Sequence, residues 1–137
     1  MSNTATPAQL RDVMPFAVLI GVELTEASPE LVRGTLDFSD ERCTAGALLH
    51  GGALMALADS CGGVCAFLNL PEGALGTATV ESKTNFLRGV RDGAVTASTR
   101  PLHRGRTLAV LETEIARADG ALVAKVTQTQ VFHYPRA

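Results

Sequence analysis

The stretch LLHGGALMALADSCGG, residues 48–63, decides the fold class of this chain. Its only carboxylate is Asp59 and its only imidazole is His50. An apolar stripe with helical spacing runs through Leu54, Leu57, Cys61, Val64, Cys65 and Leu68. The opposite face is also small or apolar apart from Asp59, so the pattern predicts a buried helix that starts near His50 and ends before Pro71.

Asp59 is the residue in this helix that needs an explanation, because burying an unpaired carboxylate is costly. It lies off the apolar stripe, beside Gly62 and Gly63. Two small-faced helices meeting across a dimer interface would account for these glycines. A carboxylate in apolar surroundings can act as a nucleophile or activate water. It can equally be a structural group, hydrogen-bonded to Ser60, to a backbone amide or to a partner chain.

The segments around this helix predict a single α+β domain over residues 1–137. Thr6 and Pro7 have the residue types of a helix N-cap and first position, predicting a short helix from Pro7 to about Met14. Strand character follows in residues 31–38, 78–86, 93–99, 107–117 and 121–132. The last four strands are predicted to form a meander joined by RGVRDG, PLHRGR and ADG, with Asp119-Gly120 as the sharpest hairpin signal. Antiparallel strands beside one buried helix make a two-layer domain.

Composition narrows the functional classes. The 137 residues are 46% hydrophobic and carry a formal net charge of -2, which disfavours nucleic acid as a partner. The three cysteines, Cys43, Cys61 and Cys65, lack the partners of a metal site and are expected to be free thiols in a reducing cytoplasm. No signal peptide is evident at the start. Residues 45–70 form a stretch that is long and apolar enough to span a membrane. His50, Asp59 and five glycines within it favour instead a buried helix in a soluble protein.

The helix start is a candidate oxyanion hole. The first N–H groups of a helix have no partner within it, and the macrodipole adds positive potential there. Gly51 and Gly52 leave the approach to these groups open. Asp59 lies about two turns further along the helix. It could act on the same carbonyl only if the substrate lay across the helix or a second subunit contributed.

HGGALMALAD followed by TVESKTNFLRGV resembles the hotdog-fold acyl-CoA thioesterases, in particular the PaaI-like phenylacetate-degradation group and the similar 4-hydroxybenzoyl-CoA thioesterases. The resemblance covers nearly the whole chain. It implies a hotdog fold, in which a curved antiparallel sheet wraps around one long central helix. It also implies hydrolysis of an acyl-CoA, including an aromatic one, to free acid and CoA. Coenzyme A would be part of the substrate, with no separate cofactor and no metal.

The resemblance also implies roles for individual residues. The Gly51 N–H would polarise the thioester carbonyl, with Gly52 beside it in the substrate site. Asp59, contributed across a dimer interface, would attack the carbonyl or direct water at it. His50 would help shape the site.

At three further positions the family pattern bears on this chain. Relatives often place an Asn six residues before the His, where this chain has Thr44, whose hydroxyl could still hydrogen-bond. Some hold the water with a Ser or Thr on the following strand, which aligns with Thr79 or, failing that, Thr77. Some have a Thr one turn after the acid, where Gly63 supplies no side chain.

Two turns carry candidate clamps for the phosphates of CoA, because arginine forks suit phosphate groups. Their residues are Arg88, Arg91, His103, Arg104, Gly105 and Arg106. The alternative is that each arginine is exposed to solvent and binds no phosphate. The resemblance further implies a homo-oligomer, a dimer at least and a tetramer as the common family form. Candidate walls of the acyl pocket are Ile20, Met55, Leu57, Phe67 and Leu68.

Two other functions remain open from the sequence. A non-catalytic acyl-CoA-binding hotdog protein stays possible because Thr44 replaces the expected Asn. A hotdog dehydratase or hydratase would use a His-centred acid/base arrangement with different spacing, and HGG followed by Asp59 favours hydrolysis over it.

Overall fold

The stretch quoted first folds as the long central helix of the molecule. A computed structural model describes residues 4–137 of the chain. Its helices are α1 (Pro7–Asp12), α2 (Pro15–Ile20) and α3 (Gly51–Leu68), and a 3-10 turn spans Asp40–Arg42. Its strands are β1 (Glu23–Ala27), β2 (Val32–Asp37), β3 (Cys43–Thr44), β4 (Leu48–Leu49), β5 (Gly76–Phe86), β6 (Ala94–Arg104), β7 (Leu108–Arg117) and β8 (Leu122–His133).

Six strands form one antiparallel sheet in the order β1-β2-β6-β7-β8-β5, and β3 and β4 form a separate small hairpin. The predicted four-strand meander is therefore wrong in one respect. β5 pairs with β8 and β6 pairs with β2, so RGVRDG is a crossover and not a hairpin turn. The crossover is fixed at Val90, which is 2% exposed and whose carbonyl accepts a hydrogen bond from the Leu49 N–H. That contact draws the chain past the start of α3 instead of back along β5.

Helix α3 contacts β2, β5, β6, β7 and β8, as expected for a sheet wrapped around it. The predicted stripe is buried from Leu54 to Cys65, with Leu57 and Cys61 fully inaccessible. These side chains meet the inward residues of the sheet, including Leu36, Leu111 and Ile115. By length and composition alone α3 could cross a membrane, but it is the core helix of this domain. The predicted α+β hotdog architecture is confirmed.

The N-terminal segment is more structured than the sequence indicated. The Thr6 hydroxyl accepts from the Gln9 N–H and the Gln9 side chain accepts from the Thr6 N–H, so the predicted cap is a complete capping box. Helix α1 ends at Asp12, before the predicted Met14, and Pro15 begins α2 instead of ending α1. Helix α2 and strand β1 were not predicted, since each is only five or six residues long and neither shows a clear period.

Candidate active site

The start of α3 is capped by His50. Its Nδ1 accepts a hydrogen bond from the Gly52 N–H at 2.7 Å, and its own N–H donates to the Arg42 carbonyl at 2.8 Å. Gly52 therefore has its N–H engaged within the chain. The Gly51 N–H donates to no group among residues 4–137. It is the free backbone donor at this end of the helix.

Gly51 lies in a shallow cleft of about 350 Å³ that also includes Thr44, Phe86 and Arg88. A Cβ at Gly51 would come within 3.1 Å of the Phe86 ring, so the helix start is in close contact with the end of β5. Thr44 thus lines the same cleft as the candidate oxyanion donor. His50 and Gly52 line a different cleft on the other side of the helix start.

Asp59 is on the surface of the isolated chain, in an apolar cleft of about 550 Å³ between α3, β5 and the two N-terminal helices. The Thr79 hydroxyl donates to Asp59 Oδ1 at 2.9 Å. Of the two candidate hydroxyls, Thr79 is therefore the one that touches the acid. Thr77 lines the same cleft but points its hydroxyl at Gln130 and at the Val131 carbonyl. Asp59 is not bonded to Ser60, whose hydroxyl donates to the Ala56 carbonyl.

The cleft around Asp59 has walls that sequence reasoning largely missed. Of the predicted acyl-pocket residues only Phe67 lines it, because Leu57 is fully buried and Ile20 lines the cleft beside His50. Most of its apolar wall comes from α1, α2 and the residues that join them, together with α3: Leu10, Val13, Met14, Phe16, Ala17 and Val64. The signal was the uninterrupted apolar run after Pro15, which has no distinctive period.

Two glutamines behind Asp59 were also missed. Gln128 and Gln130 are each 1% exposed on the inward side of β8, and Gln130 Nε2 donates to Thr79 Oγ1 at 2.5 Å. The available signal was TQTQ in the period-2 register of a strand whose other inward residues are apolar. Two hydrogen bonds thus link Gln130 to Thr79 and Thr79 to Asp59.

The two halves of the expected site are separated within one chain. Gly51 and Asp59 are eight residues apart on one helix, which is roughly 12 Å along its axis at 1.5 Å per residue. A carbonyl held by the Gly51 N–H is therefore out of reach of a water held by Asp59 of the same chain. The geometry brings together Asp59 with Thr79, and Gly51 with Thr44 and Arg88, as two separate groups.

The adjacent glycines of α3, Gly62 and Gly63, have different surroundings. A Cβ at Gly62 would lie 2.2 Å from Gln128 Oε1, so Gly62 faces the sheet of its own chain. Gly63 has nothing within 4 Å of such a Cβ and lines the cleft with Asp59. The expectation that both glycines face a partner helix is wrong for Gly62, because β8 already occupies that side.

The candidate phosphate clamps form two groups, not one. Arg88 donates to the Leu122 carbonyl at the start of β8, and Arg91 donates to the Gly46 carbonyl. The turn that holds His103, Arg104, Gly105 and Arg106 lies at the far end of β8, where the Phe132 N–H donates to the Thr107 carbonyl. About ten residues of strand separate the groups, which is roughly 30 Å. Within one protomer the two groups are therefore too far apart to bind the phosphates of the same nucleotide.

The cysteines belong to the core and not to this site. Burial raises the pKa of Cys61 to about 12, and it raises the pKa of Cys65 to about 11 against the smaller opposing effect of Arg104. Cys43 is half-buried and its thiol lies 3.3 Å from the Ser39 carbonyl. All three are free, as predicted for buried or half-buried thiols.

Comparison with known proteins decides the family. Residues 46–124 match the family model for the thioesterase superfamily. The chain belongs to the thioesterase superfamily. It is therefore an enzyme of the thioester hydrolase class, which the sequence resemblance predicted. The matched residues include the helix start, Asp59, Thr79 and the first clamp turn.

Individual relatives agree with this membership. One relative is a Mycobacterium tuberculosis protein that is provisionally named an esterase. It is 32% identical to this chain over 103 residues, which is 74% of each protein. A thioesterase from Haemophilus influenzae superposes with a TM-score of 0.89 at 25% identity, covering 96% of this thioesterase and 93% of that chain. The Escherichia coli PaaI protein from the phenylacetic acid degradation operon shares the fold, with a TM-score of 0.79 at 18% identity over 93% and 96% of the two chains.

Proposed function

We propose that the protein hydrolyses acyl-CoA thioesters, with Asp59 as the catalytic carboxylate. The observation that carries the proposal is the hydrogen bond from Thr79 to Asp59 at the mouth of an apolar cleft. Thr79 holds one carboxylate oxygen and leaves the other for a water molecule or for the substrate carbonyl. Asp59 either removes a proton from that water or attacks the carbonyl carbon itself.

In the route through water, Asp59 acts as a general base. The water oxygen bonds to the carbonyl carbon while its proton passes to Asp59, and the oxyanion that forms is stabilised by the Gly51 N–H. The C–S bond then breaks, and the CoA sulfur leaves with the proton. The products are the free acid and CoA. Thr44 lies beside Gly51, where its hydroxyl can contact the substrate.

This reaction needs a second copy of the chain, because Gly51 and Asp59 of one chain are too far apart. The edge strand β5 offers the contact: it is eleven residues long, has no neighbour on one side among the described residues, and exposes Val80 and Phe86 by 62% and 50%. Antiparallel pairing of two β5 strands would place the Phe86 end of one copy beside the Gly76 end of the other. Gly51 contacts Phe86, and Asp59 contacts Thr79 near the Gly76 end.

The same pairing would reunite the two groups of basic residues. Arg88 and Arg91 follow the Phe86 end of β5, and the turn with Arg104 and Arg106 lies toward its Gly76 end. Two copies would therefore bring one group from each chain to the same side of a shared site, where guanidinium groups can bind the phosphates of CoA. We propose a dimer as the catalytic unit, a tetramer as the full assembly and the cytoplasm as its location.

The acyl group that fits best is an apolar one, aromatic or aliphatic. The cleft is lined mainly by aliphatic side chains and two phenylalanines, Phe16 and Phe67, and Asp59 is the only ionisable side chain among its lining residues. No histidine lines it within residues 4–137, which disfavours the His-centred chemistry of a dehydratase or hydratase.

The test is turnover of a panel of CoA thioesters, from acetyl-CoA to phenylacetyl-CoA and 4-hydroxybenzoyl-CoA, with free CoA measured by a thiol reagent. We expect at least one ester to be hydrolysed and Asp59→Asn to lower kcat by about 100-fold or more. Asp37→Asn, an exposed acid on β2, is the matched control and should keep the wild-type rate. Tight binding without turnover would replace the enzyme by an acyl-CoA-binding protein. A fully active Asp59→Asn variant would remove Asp59 from the mechanism.

A further inference from the structure

The two glutamines on β8 are out of place in an apolar core. The inward residues of this strand are Ala124, Val126, Gln128, Gln130 and Phe132, and both glutamines are 1% exposed. Burying an amide costs free energy unless all of its polar atoms are paired. Gln128 Nε2 is buried and has no hydrogen-bond partner among residues 4–137. The pair is therefore a poor way to stabilise a core, which points to a role outside stability.

The hydrogen bonds of Gln130 have a fixed direction. Its Nε2 donates to Thr79 Oγ1 at 2.5 Å and to Gln128 Oε1 at 2.7 Å, and its Oε1 accepts from the Thr77 hydroxyl at 2.9 Å. Both protons of the amide nitrogen and one lone pair of its oxygen are thus engaged. The two bonds donated by Nε2 hold the amide in one orientation, while the single Thr77 proton is shared between Gln130 Oε1 and the Val131 carbonyl.

That orientation determines where the Thr79 proton points. A threonine hydroxyl has one proton to donate and can accept at its lone pairs. Because Thr79 Oγ1 accepts from Gln130, its single proton is left for Asp59 Oδ1, 2.9 Å away. A free hydroxyl would instead rotate among several acceptors, including water.

We propose that Gln130 is a positioning residue for thioester hydrolysis, acting through Thr79 to aim a hydroxyl proton at the Asp59 carboxylate. The proposal rests on the proposed catalytic role of Asp59. Gln130 lines the same cleft but is only 1% exposed, and its hydrogen bonds reach Asp59 only through Thr79. Gln128 supports it from the far side, and Gly62 leaves the space that the Gln128 amide occupies.

The arrangement predicts a change in pH dependence. A hydrogen bond donated to a carboxylate favours its ionised form, so the pH profile of kcat/KM is a measurement that a purely structural role of Gln130 would not change. Helices α1, α2 and α3 and strands β5 and β8 all face this cleft, and Asp59 is the only ionisable side chain among the residues they contribute. No second lining group competes for the same effect.

The experiment compares Gln130→Met with Gln128→Met, a matched replacement two residues away on the same face of β8. Gln130→Met should lower kcat about tenfold with KM changed less than about twofold, and should move the acid limb of the kcat/KM profile to higher pH. Gln128→Met removes one partner of the Gln130 amide but leaves its bonds to Thr77 and Thr79, so the acid limb should move less than in Gln130→Met. Indistinguishable profiles for the two variants would refute the positioning role.

A double variant tests whether Gln130 acts through Thr79. Thr79→Val removes the hydroxyl, so Gln130→Met should cause no further loss of kcat in that background. Losses that multiply would show that Gln130 acts independently of Thr79 and would overturn the proposal. If Gln130→Met does not fold, Gln130→Asn keeps the amide but is one methylene too short for Thr79, and it should show the same displaced acid limb.

The two proposals fail in different ways. An Asp59→Asn variant with full activity removes the proposed function whatever Gln130 does. A strong loss in Asp59→Asn and Thr79→Val together with a wild-type pH profile in Gln130→Met removes only the positioning role.

Discussion

Gly62 and Gly63 are adjacent in α3 and should respond in opposite directions to the same substitution. An alanine in a helix interior is favoured over glycine by about 1 kcal/mol. At Gly63 a Cβ meets nothing within 4 Å, so Gly63→Ala should raise the free energy of unfolding by up to about 1 kcal/mol. At Gly62 the Cβ would lie 2.2, 2.4 and 2.6 Å from three atoms of the Gln128 amide, which must move.

Moving the Gln128 amide has two costs in stability. Overpacking a buried site costs about 1–3 kcal/mol. Displacing Gln128 also loses the hydrogen bond from Gln130, worth about 0.5–1.5 kcal/mol. After the gain in helix propensity, Gly62→Ala should lower the free energy of unfolding by about 0.5–3.5 kcal/mol.

Urea-induced unfolding, followed by circular dichroism at one protein concentration for all variants, measures both effects. The decisive quantity is the difference of about 1.5–4.5 kcal/mol between the two variants, which combines the same estimates. A Gly62→Ala protein as stable as the Gly63→Ala protein would refute the contact between α3 and Gln128. Sedimentation of the same samples shows whether either change alters the oligomer.

Three further predictions concern the core. Because Cys61 and Cys65 have pKa values raised to about 12 and 11, a thiol reagent at pH 8 should label Cys43 in the folded protein and all three cysteines only in denaturant. The unfolded Cys61 thiol ionises with an ordinary pKa of 9.0 while the folded one stays protonated, so the stability it contributes below pH 9 should be lost as the pH rises from 9 toward 12. Unfolding midpoints over this range should fall less steeply in Cys61→Ala. Arg42 donates to the Ile20 and Asp37 carbonyls and to the Ser39 hydroxyl, so Arg42→Met should lower the free energy of unfolding by about 2–4 kcal/mol in the same urea assay, and a loss below about 0.5 kcal/mol would contradict these bonds.

The site could be predicted from the sequence only where its members lie in one motif. Residue types and spacing along one helix made the His50–Gly51 helix start and Asp59 candidates, and the family resemblance pointed to Thr79 on the next strand. Gln130 is about fifty residues from Thr79. The N-terminal helices reach the same cleft from the opposite end of the chain. Both contacts depend on sheet order and packing, which local patterns do not encode.

The sequence by itself determined the buried helix from about His50, most strand positions and the hairpin at Asp119-Gly120, where Gly120 has a φ of +86°. These features arise from periods of 3.6 and 2 residues and from local turn chemistry. Only the tertiary structure decided that β5 pairs with β8 and lies at the edge of the sheet. Strands of similar pattern have no local preference for one neighbour over another, and the neighbour is chosen by what packs on α3. That choice brings Gln130 of β8 against Thr79 of β5, and so places Gln130 behind Asp59.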